Sequence, residues 1–181
     1  MLAWHPLDPG GASFGTYVLV RVSDDRLEFR PSLAARAVLW LCRLPAIVIL
    51  IIAVAAAIEG EWTAVALTTA LAVGWLGLSA LVFRILHVFA IRVFDRGESK
   101  FWHVHGRDRA HVAALEDIRA LQLIDEVVEG ESTFTSRELN LVLRDQSRRP
   151  VIDHGDLDAV VESAQTLAQW LGVPILRSPR R

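Results

Sequence analysis

Three histidines are the residues in this chain whose type and spacing could bind a metal. His103 and His105 alternate along a predicted strand, so their side chains share one face, and two imidazoles so placed can chelate an ion such as Zn²⁺. His111 follows, but no cysteine or carboxylate stands at a metal-ligand spacing from the three. The histidines are equally explained as part of a polar strand face that contacts solvent. We expect no metal and no other cofactor.

Asp153 and His154 have the composition of an acid–base pair. Neighbours on a strand point to opposite faces, so these two side chains cannot orient one another. We expect Asp153 to help cap the following helix and His154 to form a hydrogen bond in the turn. The chain also lacks a nucleophile elbow, a phosphate-binding loop and a dinucleotide fingerprint. We therefore predict no catalytic residues and no enzyme activity.

Composition excludes several classes of protein. The chain has 181 residues, of which 52% are hydrophobic and 22% charged, with one cysteine and a net charge of −2. A disordered chain and a disulfide scaffold are excluded by the abundant aliphatic residues and the single cysteine. The near-neutral charge disfavours nucleic acid as a partner.

Two apolar stretches dominate the middle of the chain, Ala37–Ile58 and Trp62–Phe83, separated by Glu59–Glu61. Each stretch is about 33 Å long as a helix, enough for a hydrocarbon core of about 30 Å. We predict a transmembrane hairpin of two helices within residues 33–87. Arg43 interrupts the first stretch near its start, where its side chain can reach the lipid headgroups.

Basic residues flank the predicted hairpin, whereas its connecting loop carries two glutamates. The positive-inside rule then places both termini in the cytoplasm and Glu59–Glu61 outside. We expect no cleavable signal at the N-terminus. The predicted membrane-interface residues are Trp40, Arg43, Trp62, Arg84 and Arg92.

Small residues at four-residue spacing mark one side of the second apolar stretch. They are Ala66, Ala70 and Gly74, with Gly77 nearby. Small residues let helices approach closely, so this side packs either inside the hairpin or against another membrane subunit.

The flanks of the hairpin carry strand patterns and one helix pattern. Seven strands are predicted, at Tyr17–Val22, Arg26–Arg30, Val88–Asp95, Phe101–His105, Ile118–Val128, Phe134–Asp145 and Val151–Asp153. An apolar stripe predicts a helix at Asp156–Leu171, stopped by Gly172. The predicted segments are a tail (1–14), a first β-hairpin (15–32), the membrane hairpin (33–87), a cytoplasmic domain (88–176) and a basic tail (177–181).

Several short motifs resemble a group of uncharacterised bacterial inner-membrane proteins. They are Val93-Phe94-Asp95-Arg96 with Lys100-Phe101-Trp102, Ala120–Ile124, Glu138–Asp145, Asp153-His154-Gly155 and Leu-Ala-x-x-Leu-Gly-Val-Pro ending at Pro174. The resemblance covers Arg26 to Pro174. It implies a membrane protein of α+β class, with a two-helix hairpin and a small antiparallel β-barrel of pleckstrin-homology (PH) type closed by a C-terminal helix. It brings no established activity.

Whether residues 15–32 complete this barrel across the inserted hairpin, or pack beside a smaller sheet, stays open from sequence.

An acidic stretch with a nearby aromatic is the candidate partner surface of the cytoplasmic part. Its residues are Glu116, Asp117, Asp125, Glu126, Glu129 and Trp102. A solvated acidic face is the plainer explanation.

We therefore expect a non-enzymatic inner-membrane accessory or scaffold protein. Its partners would be membrane lipids and another integral membrane protein or further copies of itself, and its PH-like domain would bind protein or lipid headgroups. The alternative is a small component of a transport or channel complex, with Arg43 and helix hydroxyls lining a path.

Overall fold

The computed structural model describes residues 3–85, 90–105, 108–129 and 133–177, without a few side chains at the edges of these ranges. They form two compact units. The first, called the sheet domain here, comprises 1–34 and 90–181, and the second, the helical unit, comprises 35–89.

The sheet domain contains nine described strands and one long helix. The strands are β1 (Tyr17–Ser23), β2 (Arg26–Pro31), β3 (Ile91–Asp95), β4 (Lys100–His105), β5 (Asp108–Ala114), β6 (Ile118–Val128), β7 (Phe134–Leu143), β8 (Arg148–His154) and β9 (Ile175–Arg177). In the helical unit, α1 (Leu33–Leu41) begins just before the boundary, and α2 (Leu44–Ile58) and α3 (Trp62–Ile85) follow. The helix of the sheet domain is α4 (Leu157–Leu171).

The strands form two sheets. One has the antiparallel order β1-β2-β3-β4-β5, and the other has the order β8-β7-β6-β9, in which β9 runs parallel to β6. β2 pairs with β3 although the helical unit lies between them in sequence, with Leu27 opposite Phe94 and Phe29 opposite Arg92. The sheet domain is therefore built from both flanks of the helical unit.

One hydrophobic core joins the inner faces of both sheets to α4. Its largest fully buried side chains include Phe29, Phe94 and Phe101 from the first sheet and Leu139 from the second, with Leu167 from α4. The alternation of apolar residues along each strand places these side chains on one face. Asp156 caps the start of α4 by accepting a hydrogen bond from the backbone N–H of Ala159, 3.2 Å away.

The prediction of a closed β-barrel is wrong. Among the described strands, no pairing joins the edges of one sheet to the edges of the other. The 3₁₀ turn Leu115–Asp117 carries the chain from β5 to β6, which lies in the other sheet. β9 then pairs with the edge of β6 that β7 leaves open, so β5 does not pair there and the sheets stay open.

The prediction of two membrane-spanning helices is also wrong. In the described part of the chain only α3 has a stretch, Trp62–Val82, that is long and apolar enough to cross a membrane by length and composition. The first apolar stretch breaks at Cys42 and Arg43, and α2 is only about 22 Å long. Pro45 lies in the first turn of α2, where its missing N–H is tolerated but a continuous helix would be interrupted.

Candidate functional site

Small and half-buried side chains form the contact between α2 and α3. On α2 the least exposed residues include Ala46 and Ala53, and on α3 they include Ala64, Thr68 and Ala72. The residues on α3 are four apart and the two on α2 are seven apart, which places them on one side of each helix. The Thr68 hydroxyl donates to the carbonyl of Ala64 at 2.7 Å, so this polar group is bonded within its own helix.

The predicted stripe of small residues lies elsewhere on α3. Ala66, Ala70, Gly74 and Gly77 are all exposed, and a Cβ added at Gly74 or Gly77 would meet no atom within 4 Å. The stripe is therefore not the surface that α3 uses against α2. Of the two sequence explanations, packing inside the hairpin does not describe these residues.

The break before α2 is held by a tryptophan of α3. Trp75 donates from its indole N–H to the carbonyl of Cys42 at 2.8 Å. A helix interruption leaves backbone carbonyls without partners, and this bond satisfies one of them. The Arg43 guanidinium lies 5.4 Å from the ring centroid of Trp40, in a cation–π contact. Sequence reasoning found Arg43 and Trp40 but not Trp75.

Most large apolar side chains of α2 and α3 point outward in the isolated chain. Those on α2 are Leu44, Ile47, Val48, Leu50, Ile51, Ile52, Val54 and Ile58. Those on α3 include Leu67, Leu71, Val73, Leu76, Leu78, Leu81 and Val82. Large exposed apolar surfaces are rare on water-soluble domains, which makes this surface the candidate functional site of the helical unit.

The predicted interface residues fall into two groups. Trp40 is 63% exposed and Trp62 is 72% exposed, both in the helical unit. Arg92 instead lies on β3, where its guanidinium stacks 4.1 Å from the ring centroid of Tyr17. The side chain of Arg84 lies outside the described residues.

The predicted acidic surface is not one patch. Glu116 and Asp117 belong to the turn before β6, whereas Asp125 and Glu126 lie roughly 25 Å further along that strand, followed by Glu129. Trp102 is only 3% exposed, so its ring is not offered to a partner.

Asp125 and Glu126 both have partners within the sheet domain. Asp125 forms a two-point ion pair with the guanidinium of Arg137, which raises the pKa of that arginine. Glu126 accepts from the backbone N–H of Gly10 at 3.2 Å.

The histidines do not assemble a metal site in the described residues. His103 packs edge-on against Phe101 on the inner face, whereas His111 pairs with Trp102, whose side chain is on the outer face. The side chain of His105 lies outside the described residues. Among the described residues, no three histidine, cysteine, aspartate or glutamate side chains lie close enough together to hold a metal ion.

A buried polar cluster on the outer face of the second sheet was missed by sequence reasoning. Ser136, Glu138 and Asn140 alternate along β7, and Gln122 lies beside Asn140 on β6. All four side chains are almost completely buried. The alternation predicts a polar strand face, which normally contacts water.

The N-terminal segment covers this cluster. The Glu138 carboxylate, 1% exposed, accepts hydrogen bonds from the backbone N–H groups of Leu7 at 2.8 Å and Asp8 at 3.1 Å. Gln122 donates to the carbonyl of Ala3 at 2.9 Å. A Cβ at Gly11 would overlap the side chains beneath it, so only glycine permits this close approach. Residues 3–12 are thus a cover rather than a free tail.

Asp153 lies at the edge of the same cluster. Burial, reinforced by the nearby charges of Glu138 and Glu126, raises the pKa of Asp153 to about 6, although a hydrogen bond from Ser136 opposes the shift. Asp153 does not cap α4, because Asp156 does.

His154 points away from Asp153, as strand alternation predicts. Burial lowers the pKa of His154, and neither ring nitrogen has a hydrogen-bond partner in the described part of the chain. The expected hydrogen bond of His154 in the turn is therefore not found. Asp153 and His154 therefore do not form an acid–base pair. Asp153 lies beneath residues 3–12, near the carboxylates of Glu138 and Glu126.

No protein-family model matches the sequence, and no curated protein matches it.

Proposed function

We propose that this protein is a non-enzymatic membrane accessory or scaffold protein, anchored by its helical unit in a bacterial inner membrane. The observation that carries the proposal is the outward-facing apolar surface of α2 and α3, attached to a sheet domain that completes its own core. Transfer of this surface from water to lipid would be strongly favourable. The sheet domain would then be held at the membrane, where it binds a protein or lipid headgroups.

The pairing of β2 with β3 limits how such an anchor can be inserted. The two flanks of the helical unit form one domain, so the chain must enter and leave the membrane on the same side. Arginines are frequent in both flanks and absent from the Glu59–Glu61 loop, which supports a cytoplasmic sheet domain.

The exposed stripe on α3 supports an integral membrane protein as the partner. Ala66, Ala70 and Gly74 offer a smooth face that another helix can approach closely. The hydroxyls of Thr68 and Ser79 donate to carbonyls of α3 itself, so they do not require a water-filled path. No observation favours the transport alternative over the accessory role.

The first experiment asks whether the chain is anchored and what it binds. We would wash membranes that contain the tagged full chain with alkaline carbonate, then purify it in mild detergent and identify bound proteins and lipids by mass spectrometry. We expect the chain to stay in the membrane and to retain a membrane protein in a fixed ratio. Release of the chain from the membrane by carbonate would contradict the anchor. Recovery of the chain with lipid but no protein would favour headgroup binding as its function.

A matched pair of variants then tests the stripe. Gly74→Leu fills the smooth face, whereas Val73→Leu enlarges a neighbouring exposed side chain by one methylene group. We expect Gly74→Leu to lose the partner and Val73→Leu to keep it. If both variants retain the partner equally, the small-residue stripe of α3 is not the docking surface.

A further inference from the structure

β1 is the least protected of the four sheet edges in the described part of the chain. The other three edges carry features that block pairing with another strand. β5 carries Arg109 and His111, β8 carries Arg148, Arg149 and Pro150, and β9 is only three residues long. β1 reads Tyr-Val-Leu-Val-Arg-Val-Ser, with a single charge and no proline, and Val18 and Val22 are exposed.

The hydrogen bonds of β1 show which residues face its free edge. The backbone N–H of Ser32 donates to the carbonyl of Thr16 at 2.9 Å, on the side of β1 that pairs with β2. Hydrogen-bonded pairs alternate along an antiparallel ladder, so Val18 and Val20 also bond to β2. Tyr17, Leu19 and Arg21 therefore point their N–H and C=O groups to the free edge.

A groove of about 280 Å³ lies between this edge and α4. The C-terminal end of α4 lies at the β1–β2 turn, because the indole N–H of Trp170 donates to the carbonyl of Asp24 at 2.8 Å. From there α4 runs back along β1 toward Tyr17, and the exposed Glu162 lines the groove together with Tyr17, Leu19 and Arg21. Glu162 has no ion-pair partner among the residues that the structure describes.

We propose that β1 pairs with β1 of a second copy of this chain, antiparallel and centred on Leu19. In this register Leu19 lies opposite Leu19 of the other copy. Tyr17 of each copy lies opposite Arg21 of the other. This register satisfies the free backbone groups of both strands at once. It also places the exposed Val18 of each copy opposite the half-buried Val20 of the other, which forms two apolar cross-strand pairs.

Charge complementarity favours a second copy as the occupant. The antiparallel register carries Arg21 of one copy opposite Tyr17 of the other, and Tyr17 lines the same groove as Glu162. The two-fold symmetry repeats this contact, so two arginine–glutamate pairs form. Among the described residues of the single chain, Arg21 forms its ion pair with Asp24, at 3.1 Å, and both of these side chains are largely exposed.

The contact area predicts a weak dimer. A strand edge of seven residues covers roughly 250 Å² per copy, well below the roughly 800 Å² of a typical stable interface. The dimer is therefore expected where the protein is concentrated, either in detergent solution or within a membrane. This inference does not depend on the proposed membrane partner.

Disulfide trapping tests the register in the full-length chain. In a Cys42→Ala background, we would mix Val18→Cys and Val20→Cys proteins that carry different tags. Opposite residues in a non-hydrogen-bonded pair have Cα atoms about 4.5 Å apart, which suits a disulfide. We expect the mixed disulfide to form faster than either variant with itself, and faster than His111→Cys on the opposite edge. Cross-linking no faster than His111→Cys would overturn the dimer, and faster self-cross-linking of Val18→Cys would overturn the register.

A charge exchange tests the second contact. Arg21→Glu and Glu162→Arg should each slow the mixed cross-link by roughly five-fold, because two attractive pairs become repulsive. The double variant restores opposite charges and should recover the original rate. Failure of the double variant to recover, with its thermal unfolding unchanged, would show that Arg21 and Glu162 do not meet across the interface.

Discussion

Asp153 is the carboxyl group whose titration the sheet domain shifts furthest toward neutral pH. Its pKa is raised from 3.8 to about 6, first by burial and then by the nearby carboxylates. The folded state therefore binds the proton more tightly than the unfolded state. Its contribution to stability is fully present below about pH 4 and is lost as the pH rises through 6.

Asp153→Asn should remove this pH dependence. The full shift corresponds to about 3 kcal/mol, and solvent screening of a half-buried carboxyl reduces this to about 1–2 kcal/mol. We expect the variant to be more stable than the natural chain by that amount at pH 7.5 and equally stable near pH 4. Urea unfolding followed by tryptophan fluorescence at several pH values measures the difference. A difference that does not change with pH would contradict the assignment to Asp153.

Glu138 illustrates how a carboxyl side chain can be buried without an ion-pair partner among the described residues. It is held by two backbone N–H groups of the N-terminal segment and by the Asn140 amide, which together replace its hydration. Glu28 on the first sheet is instead stabilised by two arginines. Burial opposes its ionisation, but hydrogen bonds from Arg30 and Arg26, each 2.7 Å long, outweigh burial and lower its pKa.

At the scale of the single element, the end of α4 depends on one glycine. Gly172 has a φ of 73°, the left-handed conformation that ends many helices, and its N–H bonds to the carbonyl of Ala168 at 2.8 Å. Gly172→Ala should destabilise the sheet domain by about 1 kcal/mol, because a Cβ is unfavourable at this φ. Gly97→Ala is the control, since Gly97 has no positive φ and faces only the end of the Asp95 carboxylate. Equal loss of stability in both variants, measured by thermal unfolding, would argue against a backbone effect.

The break between α1 and α2 gives a second prediction about an element. Trp75→Phe removes the hydrogen bond to Cys42 while keeping an aromatic ring. The hydrogen bond is worth about 1 kcal/mol, so the break should open about five-fold more often. Cys42 is the single cysteine, and the rate of its reaction with a maleimide reports this opening. Trp62→Phe, at an exposed position, should leave the rate unchanged. An unchanged rate in Trp75→Phe would mean that the bond does not hold the break.

At the scale of the whole molecule, the sheet domain should fold without the helical unit. Every residue of its hydrophobic core belongs to residues 1–34 or 90–181. The register of β2 and β3 places the ends at Pro31 and Ala90 opposite one another, so a turn of a few residues can replace residues 33–89. We expect this shortened chain to be monodisperse without detergent and to unfold in one cooperative transition. Aggregation or loss of the transition would show that the helical unit is needed for folding.

The sequence alone determined the local elements with strong periodicity or clear stop signals. The strand Ile118–Val128 has the predicted bounds, and α4 begins and ends within one residue of the prediction. Both depend on neighbours in the chain, namely strand alternation, an apolar stripe, and Gly172 in the left-handed region. The apolar character of the helical unit is likewise a property of composition.

Only the tertiary structure decided what these elements pack against. Residues 3–12 and β9 carry no strong local pattern, yet one covers the polar face of β7 and the other pairs with β6. The continuous apolar run before Ile58 gave no sign that Trp75 would hold a break at Cys42. Periodicity identifies which side of a helix or strand must be covered, but many surfaces of the chain could pack against that side. The choice among them depends on contacts between residues far apart in sequence, and these kept the two sheets from closing into a barrel.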